Sequence, residues 1–208
     1  MPNLLIASGN AHKAEEIDAI LGDGFSVQSL ASFPTAPKVL EDGDTFSANA
    51  IKKAVEIAGW LGGQALGQTL PNFVLADDSG LEVDALGGAP GIHSARYAGG
   101  DSNASDKANN AKLLRELSTA ADGKRGAQFQ CVLAMVEPGQ AAEVHTFKGI
   151  CRGCIAEMPT GQGGFGYDPL FIPEGHNQSF AELSREVKNE ISHRARALTK
   201  LAEHFAEG

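Results

Sequence analysis

Short apolar runs of strand length alternate with segments of helical period along the chain, and glycine, asparagine or aspartate closes most of the runs. Strands that alternate with helices must bury their apolar faces against one another, so this pattern points to an α/β fold. Asn3 to Ala7 reads as a buried strand and Ser8-Gly9-Asn10 as a tight turn. Ala11 to Leu21 follows as a helix with Ala14, Ile17, Ile20 and Leu21 on one face. Phe33 to Pro37 is a connection, after which Asp44 or Thr45 caps a helix through Ala58 that buries Phe46, Ala50, Ala54 and Ile57. Gly59 to Asn72 is glycine-rich and reads as a loop or a frayed helix end. Phe73 to Ala76 is a strand, and Leu81 to Ala85 alternates again. Asp77-Asp78-Ser79-Gly80 between them is a good turn sequence, which places the aspartates at a strand end.

Gly87 to Asp101 is turn-rich and precedes a helix from about Ser105 to Leu117 with Ala108, Ala111, Leu114 and Leu117 inward. Phe129, Cys131, Leu133 and Met135 alternate along one strand, with Val144 to Phe147 and Ile150 to Ala156 as neighbours in an antiparallel group. A loop from Thr160 to Asp168 leads through a short Leu170 to Ile172 strand to a C-terminal helix. That helix carries Ile191, Ala195, Leu198, Leu201, Ala202 and Phe205. Neither a repeat nor a linker interrupts the chain. At 208 residues and 42% hydrophobic content there is material for one substantial core, so a single domain over residues 1–208 with a mixed sheet is expected.

Seventeen basic against 26 acidic residues leave a formal charge of -9, which repels a nucleic-acid backbone, and no run of Lys or Arg overrides it. Nucleotides are not excluded, because a bound cation supplies positive charge locally. The apolar run Leu4 to Ala7 is too short for a signal peptide or a membrane span. The three cysteines are too few and odd in number for a secreted disulfide framework, so a cytoplasmic location is expected, with no nucleic-acid or membrane partner.

Ser8-Gly9-Asn10-Ala11-His12-Lys13 joins a strand to a helix, where N–H groups and the positive helix end favour an anion such as a triphosphate; the same residues also make an ordinary helix cap. Asp77 and Asp78, with Glu41 in reach of the same place, form the oxygen-rich set that Mg²⁺ takes, and one of the pair can activate a water. Gly161-Gln162-Gly163-Gly164-Phe165-Gly166 matches the dinucleotide fingerprint in letters but lacks the helix that must follow it. It reads either as a mobile loop presenting Phe165, Tyr167 and Asp168 to a base or as a glycine loop anchored by an aromatic. Cys151 and Cys154 are three apart on a strand and face opposite sides, so they make no metal or redox pair. Ser192-His193-Arg194, close after Lys188, is a solvated helix start or a group of donors in which Arg194 reads a carbonyl oxygen. His12, His145, His176 and His204 show no metal-ligand spacing.

Taken in order, the Ser8–Lys13 block, Asp77 to Leu81, Gly87 to Tyr97, Gly163 to Pro169 and Ile191 to Arg194 resemble the non-canonical purine nucleoside triphosphate pyrophosphatases, the inosine triphosphatase family. The blocks span nearly the whole chain. The resemblance implies hydrolysis of dITP, ITP and XTP to the monophosphate and pyrophosphate by an elongated α/β homodimer, with a central mixed sheet flanked by helices and a cleft between two lobes. It also implies residue roles. Asp78 is the general base and, with Glu41, a Mg²⁺ ligand; Ser8, Gly9, Asn10, Ala11, His12 and Lys13 hold the triphosphate, with Ser79 nearby. Phe165, Gly166, Tyr167, Asp168, Lys188, His193 and Arg194 surround the base and phosphates. A related pyrophosphatase acting on modified pyrimidine nucleotides, or a nucleotide sensor without catalysis, remains open on the same residues. Leu61 to Phe73 is longer and richer in glycine than the resemblance implies and reads as a peripheral extension.

Overall fold

The computed structural model describes residues 1–63, 70–100, 102–118, 124–139 and 143–207. A six-stranded mixed sheet runs in the order β2-β1-β3-β4-β5-β6. Its strands are β1 (Asn3–Ile6), β2 (Ser26–Ser29), β3 (Phe73–Val83), β4 (Gly126–Val136), β5 (Val144–Ile155) and β6 (Phe171–Pro173). The helices are α1 (Ala11–Leu21), α2 (Phe46–Gly62), α3 (Asp106–Leu117), α4 (Arg185–Ile191) and α5 (His193–Glu207). β1 pairs in parallel with β2 on one side and β3 on the other, as a strand–helix–strand crossover requires, whereas β5 and β6 are antiparallel.

The chain divides into two compact units: Met1–Asp78 with Cys131–Gly149 and Arg194–Gly208, and Ser79–Gln130 with Ile150–His193. β3, β4 and β5 each begin in one unit and end in the other. The first unit has its own apolar core, in which Leu4, Ile6, Leu75, Leu133 and Met135 of the sheet pack with Ile17 of α1 and Leu198 and Leu201 of α5. The second builds another from Leu81, Val83, Leu113, Phe129, Ile155, Phe171 and Phe180. Burying a side chain of this size contributes about 1.5 to 3 kcal/mol, so each core can offset the cost of buried charges beside it.

Local signals set several element ends. Asn10 caps α1 by accepting from the backbone N–H groups of His12 and Lys13, and Thr45 caps α2 by accepting from Ala48. α2 buries the expected Phe46, Ala50, Ala54 and Ile57 but runs on through Gly62, because Ala58 and Leu61 continue the apolar stripe into the stretch expected to be loop. Residues 64–69 of the expected Leu61 to Phe73 extension lie outside the described residues.

Two expectations fail instructively. Asp77 to Gly80 is not a turn; β3 passes through it unbroken from Phe73 to Val83. Turn propensity is overridden there because β3 lies inside the sheet, between β1 and β4, and charged neighbours compensate Asp77 and one oxygen of Asp78. The inward face of α3 is also rotated from the expected one. Asn109, Asn110, Leu113 and Leu117 are buried while Ala108 and Ala111 are exposed. An alanine gains little from burial, whereas each asparagine finds partners in a neighbouring loop.

Candidate active site

Successive residues of a strand project to opposite faces, and the partners of the two aspartates follow that rule. Asp77 is fully buried in the first unit. Its carboxylate accepts from Lys13 Nζ of α1, from Arg194 Nε of α5 at 2.9 Å and from the Cys131 thiol at 3.3 Å. Arg194, 1% exposed, also gives a terminal nitrogen to Glu16 of α1. Burial alone raises the Asp77 carboxyl, but the Arg194 guanidinium and the Lys13 ammonium outweigh it and hold the group well below the usual carboxylate range. The same burial, reinforced by the Asp77 charge, pushes the Cys131 thiol well up, so it stays a neutral donor.

Asp78 meets α2. Lys53 Nζ lies 3.3 Å from Asp78 Oδ1, 2.8 Å from Glu41 Oε1 and 2.8 Å from the Asp77 carbonyl oxygen, so one ammonium gathers both carboxylates. Glu41 precedes α2 on a segment tied to it twice more: Gly43 N–H donates to Asn49 Oδ1 at 2.8 Å, and Lys52 pairs with Asp42 at 2.6 Å. The second oxygen of Asp78, Oδ2, is buried with no hydrogen-bond partner among the described residues. Burial pushes the Asp78 carboxyl above its ordinary value, and the nearby Lys53 and Lys13 charges do not fully offset it. Lys53 stays charged. Its burial lowers its proton affinity, but Asp78 and Glu41 more than compensate.

Beside this pair lies the start of α1. Asn10 N–H donates to Ser8 Oγ at 3.1 Å, and Gly9, Asn10, Ala11 and His12 are exposed. Lys13 is half-buried and turned toward Asp77, and His12 lies 3.8 Å from Glu15.

In the second unit, Lys188 Nζ donates to Asp168 Oδ2 at 2.6 Å and sits 5.0 Å from the centre of the Phe165 ring. Phe165 N–H donates to the same carboxylate oxygen at 2.9 Å. The glycine before it is required. A Cβ on Gly164, whose φ is +69°, would fall 2.1 Å from Asp168 Oδ2. The His193 ring stacks on Phe129 at 4.7 Å between centres. Ser79, half-buried, follows Asp78 on β3. Tyr167 departs from its expected presentation to a base. It is buried, and its hydroxyl donates to the Ser94 carbonyl at 2.9 Å, so it anchors the loop. Arg194 likewise is no solvated helix start, since Asp77 and Glu16 hold it in the core.

The Ham1 family model matches residues 4–204. The chain belongs to the Ham1 family. A relative from Geobacillus kaustophilus, a dITP/XTP pyrophosphatase, is 49% identical over all of this chain and 96% of its own length. The dITP/XTP pyrophosphatase of Shouchella clausii is 47% identical over 98% of this chain and 96% of its own. Among solved structures, a HAM1 protein from Coxiella burnetii superposes with a TM-score of 0.85 at 38% identity, covering the whole of both chains. The Ham1 protein of Staphylococcus aureus gives 0.82 at 40%, covering 99% of this chain and all of its own.

Within this Ham1 chain, sequence reasoning passed over Lys53, Glu16 and Cys131. Lys53 had a readable signal: it falls on the buried stripe of α2 between Asn49 and Ile57, and a lysine among core positions needs a partner. Glu16 and Cys131 gave none. An exposed-looking helical glutamate and a strand cysteine are ordinary until the fold brings Arg194 and Asp77 to them.

Proposed function

We propose that this chain hydrolyses non-canonical purine nucleoside triphosphates, dITP, ITP and XTP, at the α–β phosphoanhydride bond, releasing the monophosphate and pyrophosphate. The observation that carries this reading is Asp78: a buried carboxylate with one oxygen unpartnered among the described residues, joined to Glu41 through the Lys53 ammonium and within the field of Lys13. Full-length identity with dITP/XTP pyrophosphatases supports the substrate class.

The donor set fits Mg²⁺. Among the described residues no group of three or more histidine, cysteine or acidic side chains is arranged to hold a metal. Mg²⁺ needs no such cage, since it keeps several waters and binds through one or two carboxylates plus substrate phosphates. Asp78 and Glu41 would hold it, and the cation would supply positive charge against the charge that grows on the phosphates. Asp78 takes the proton of the attacking water, for which a pKa raised toward neutrality suits a carboxylate. Lys13 and the Ser8–His12 backbone bind the leaving pyrophosphate, with Ser79 alongside. Lys53 holds the two carboxylates together, and Arg194 fixes Lys13 through Asp77.

Phe165, Gly166, Asp168, Lys188 and His193 are assigned to the base, with Tyr167 as their anchor. Lys188 is a donor with no acceptor capacity, which suits the O6 carbonyl of a deaminated purine. Adenine presents an N–H₂ there, which meets the Lys188 ammonium donor to donor and forfeits that hydrogen bond, at about 1 to 3 kcal/mol, enough for a tenfold or larger preference. The family resemblance extends this reading to a homodimer working in the cytoplasm. No helix among the described residues is long and apolar enough to cross a membrane.

With ITP and Mg²⁺ the protein is expected to release pyrophosphate, and a panel of ITP, XTP, dUTP and ATP is expected to favour the first two. Orthophosphate as the product, or dUTP as the best substrate, overturns the reading. Tight ITP binding without turnover across several divalent metals replaces it with a sensor.

The pH profile gives an independent check. Because the Asp78 carboxyl is raised above 3.8, kcat/KM at limiting Mg²⁺ should fall as pH drops through a value above that figure. A cation competes with the proton for the same carboxylate, so raising Mg²⁺ should move this acid limb to lower pH. A limb that ignores the metal concentration would remove Asp78 from the metal site.

A further inference from the structure

The loop that carries Phe165 is held from outside by one face of α3. Gly164 and Gly166 have φ of +69° and +64°, and a segment with two such glycines loses more conformational freedom on ordering than one built from other residues. Its internal bonds, Phe165 N–H to Asp168 Oδ2 and Asp168 N–H to the Phe165 carbonyl at 3.2 Å, shape the turn without fixing where it sits. The Tyr167 hydroxyl and Gly163 N–H tie the two ends of the loop to Ser94 and Ala181, and both backbone polar groups of Gly166, next to the Phe165 ring, go to α3. Its N–H donates to Asp106 Oδ2 at 2.7 Å, and its carbonyl accepts from Asn110 Nδ2 at 3.0 Å. Residues four apart share a helix face, so the two side chains grip a single residue from one side. Ser105 fixes that end of the helix by accepting from Ala108 N–H.

Asn110 is 7% exposed, and its Oδ1 is buried with no partner among the described residues. An amide that only filled space would be disfavoured there against an apolar residue, so the donor on its other arm accounts for its presence. Its neighbour Asn109 does the same for another loop, accepting from Ala98 N–H at 2.8 Å and donating to the Ala95 carbonyl at 3.2 Å.

We propose that Asp106 and Asn110 are specificity-positioning residues: by clamping both polar groups of Gly166 they set the Phe165 ring and the Asp168–Lys188 pair at the spacing that distinguishes a deaminated purine from adenine. The inference rests on the assignment of this loop to the base. Neither residue touches the substrate; each acts through the backbone next to Phe165.

The test compares kcat, KM and melting temperature for ITP and ATP in the full chain and three variants. Asp106→Ala removes an exposed acceptor, Asn110→Asp replaces the Nδ2 donor with an oxygen facing the Gly166 carbonyl, and Asp106→Asn keeps an acceptor for Gly166 N–H. Asp106→Ala and Asn110→Asp are expected to raise KM for ITP more than they lower kcat, and to shrink the ITP:ATP ratio of kcat/KM about tenfold. Asp106→Asn is expected to retain the ratio. An unchanged ratio in both disruptive variants overturns the clamp, as does a parallel loss on both substrates that tracks the melting temperature. If the unmodified protein itself shows no preference for ITP, the base assignment falls first and the clamp with it.

Discussion

Asp78→Asn is expected to abolish pyrophosphate release from ITP, lowering kcat by at least about 10³-fold while leaving the protein as stable as before. The side chain keeps its shape and its contact to Lys53 but can neither accept a proton from water nor offer an anionic oxygen to a cation. Stability is retained for a reason visible in the pKa. Burial raises the Asp78 carboxyl, which means that the fold disfavours its charge, and a neutral amide relieves that cost. Lys53 still has Glu41 and the Asp77 carbonyl, so no ammonium is stranded. Initial rates and thermal melts on the same preparation decide the matter. Retained turnover removes Asp78 as the base, and a collapse in melting temperature with lost turnover means that the carboxylate is structural.

Asp77→Ala is expected to do the opposite: unfold more easily, by about 3 to 5 kcal/mol, and lose activity as a consequence. Its carboxylate is the shared partner of Arg194 and Lys13 and accepts the Cys131 thiol. Removing it leaves a fully buried guanidinium still paired with Glu16 but without its Asp77 counter-charge, and releases Lys13 from its own ion pair. Because the Asp77 pKa lies below its unfolded value, the contribution of the charge is fully present above about 3.8 and is lost only as pH falls through the lower folded value. Urea melts at pH about 7 should therefore show the whole deficit, and melts below about pH 3.8 should show it shrinking as pH falls further. A loss under about 1 kcal/mol at neutral pH would show that the cluster contributes no more than a surface pair.

Put together, the two variants separate neighbouring aspartates that composition treats alike. Nothing in the local string Asp77-Asp78 distinguishes them. Turn propensity suggested that both would sit in a loop, where either could reach a metal. The division arises because β3 continues through them and a strand sends successive side chains to opposite faces, one into the Arg194 cluster and the other toward α2.

Other parts of the site were legible to different degrees. Ser8 to Lys13 was readable because a strand–turn–helix junction is a local signal, and the Asn10 cap and α1 boundaries follow from those residues alone. Phe165 could be read as a ring offered to a base from its glycine loop, whereas Lys188 was tied to a base only through the order of blocks along the chain. That they meet over Asp168 is a fact of packing between residues 20 apart. Tyr167 shows the limit, since a loop sequence does not say which of two aromatics flanking Gly166 points inward.

By itself, the sequence determined the α/β class, the buried faces of α1 and α2, the caps of those helices and the family, because each rests on periodicity, capping chemistry or ordered motifs that neighbouring residues carry. Only the tertiary structure decided that β3 is unbroken, that Lys53 joins Asp78 to Glu41, that Arg194 is buried against Asp77 and Glu16, and that α3 turns asparagines rather than alanines inward. Those outcomes depend on partners brought together from distant parts of the chain. A buried charge or amide is tolerated only where the fold supplies its counterpart.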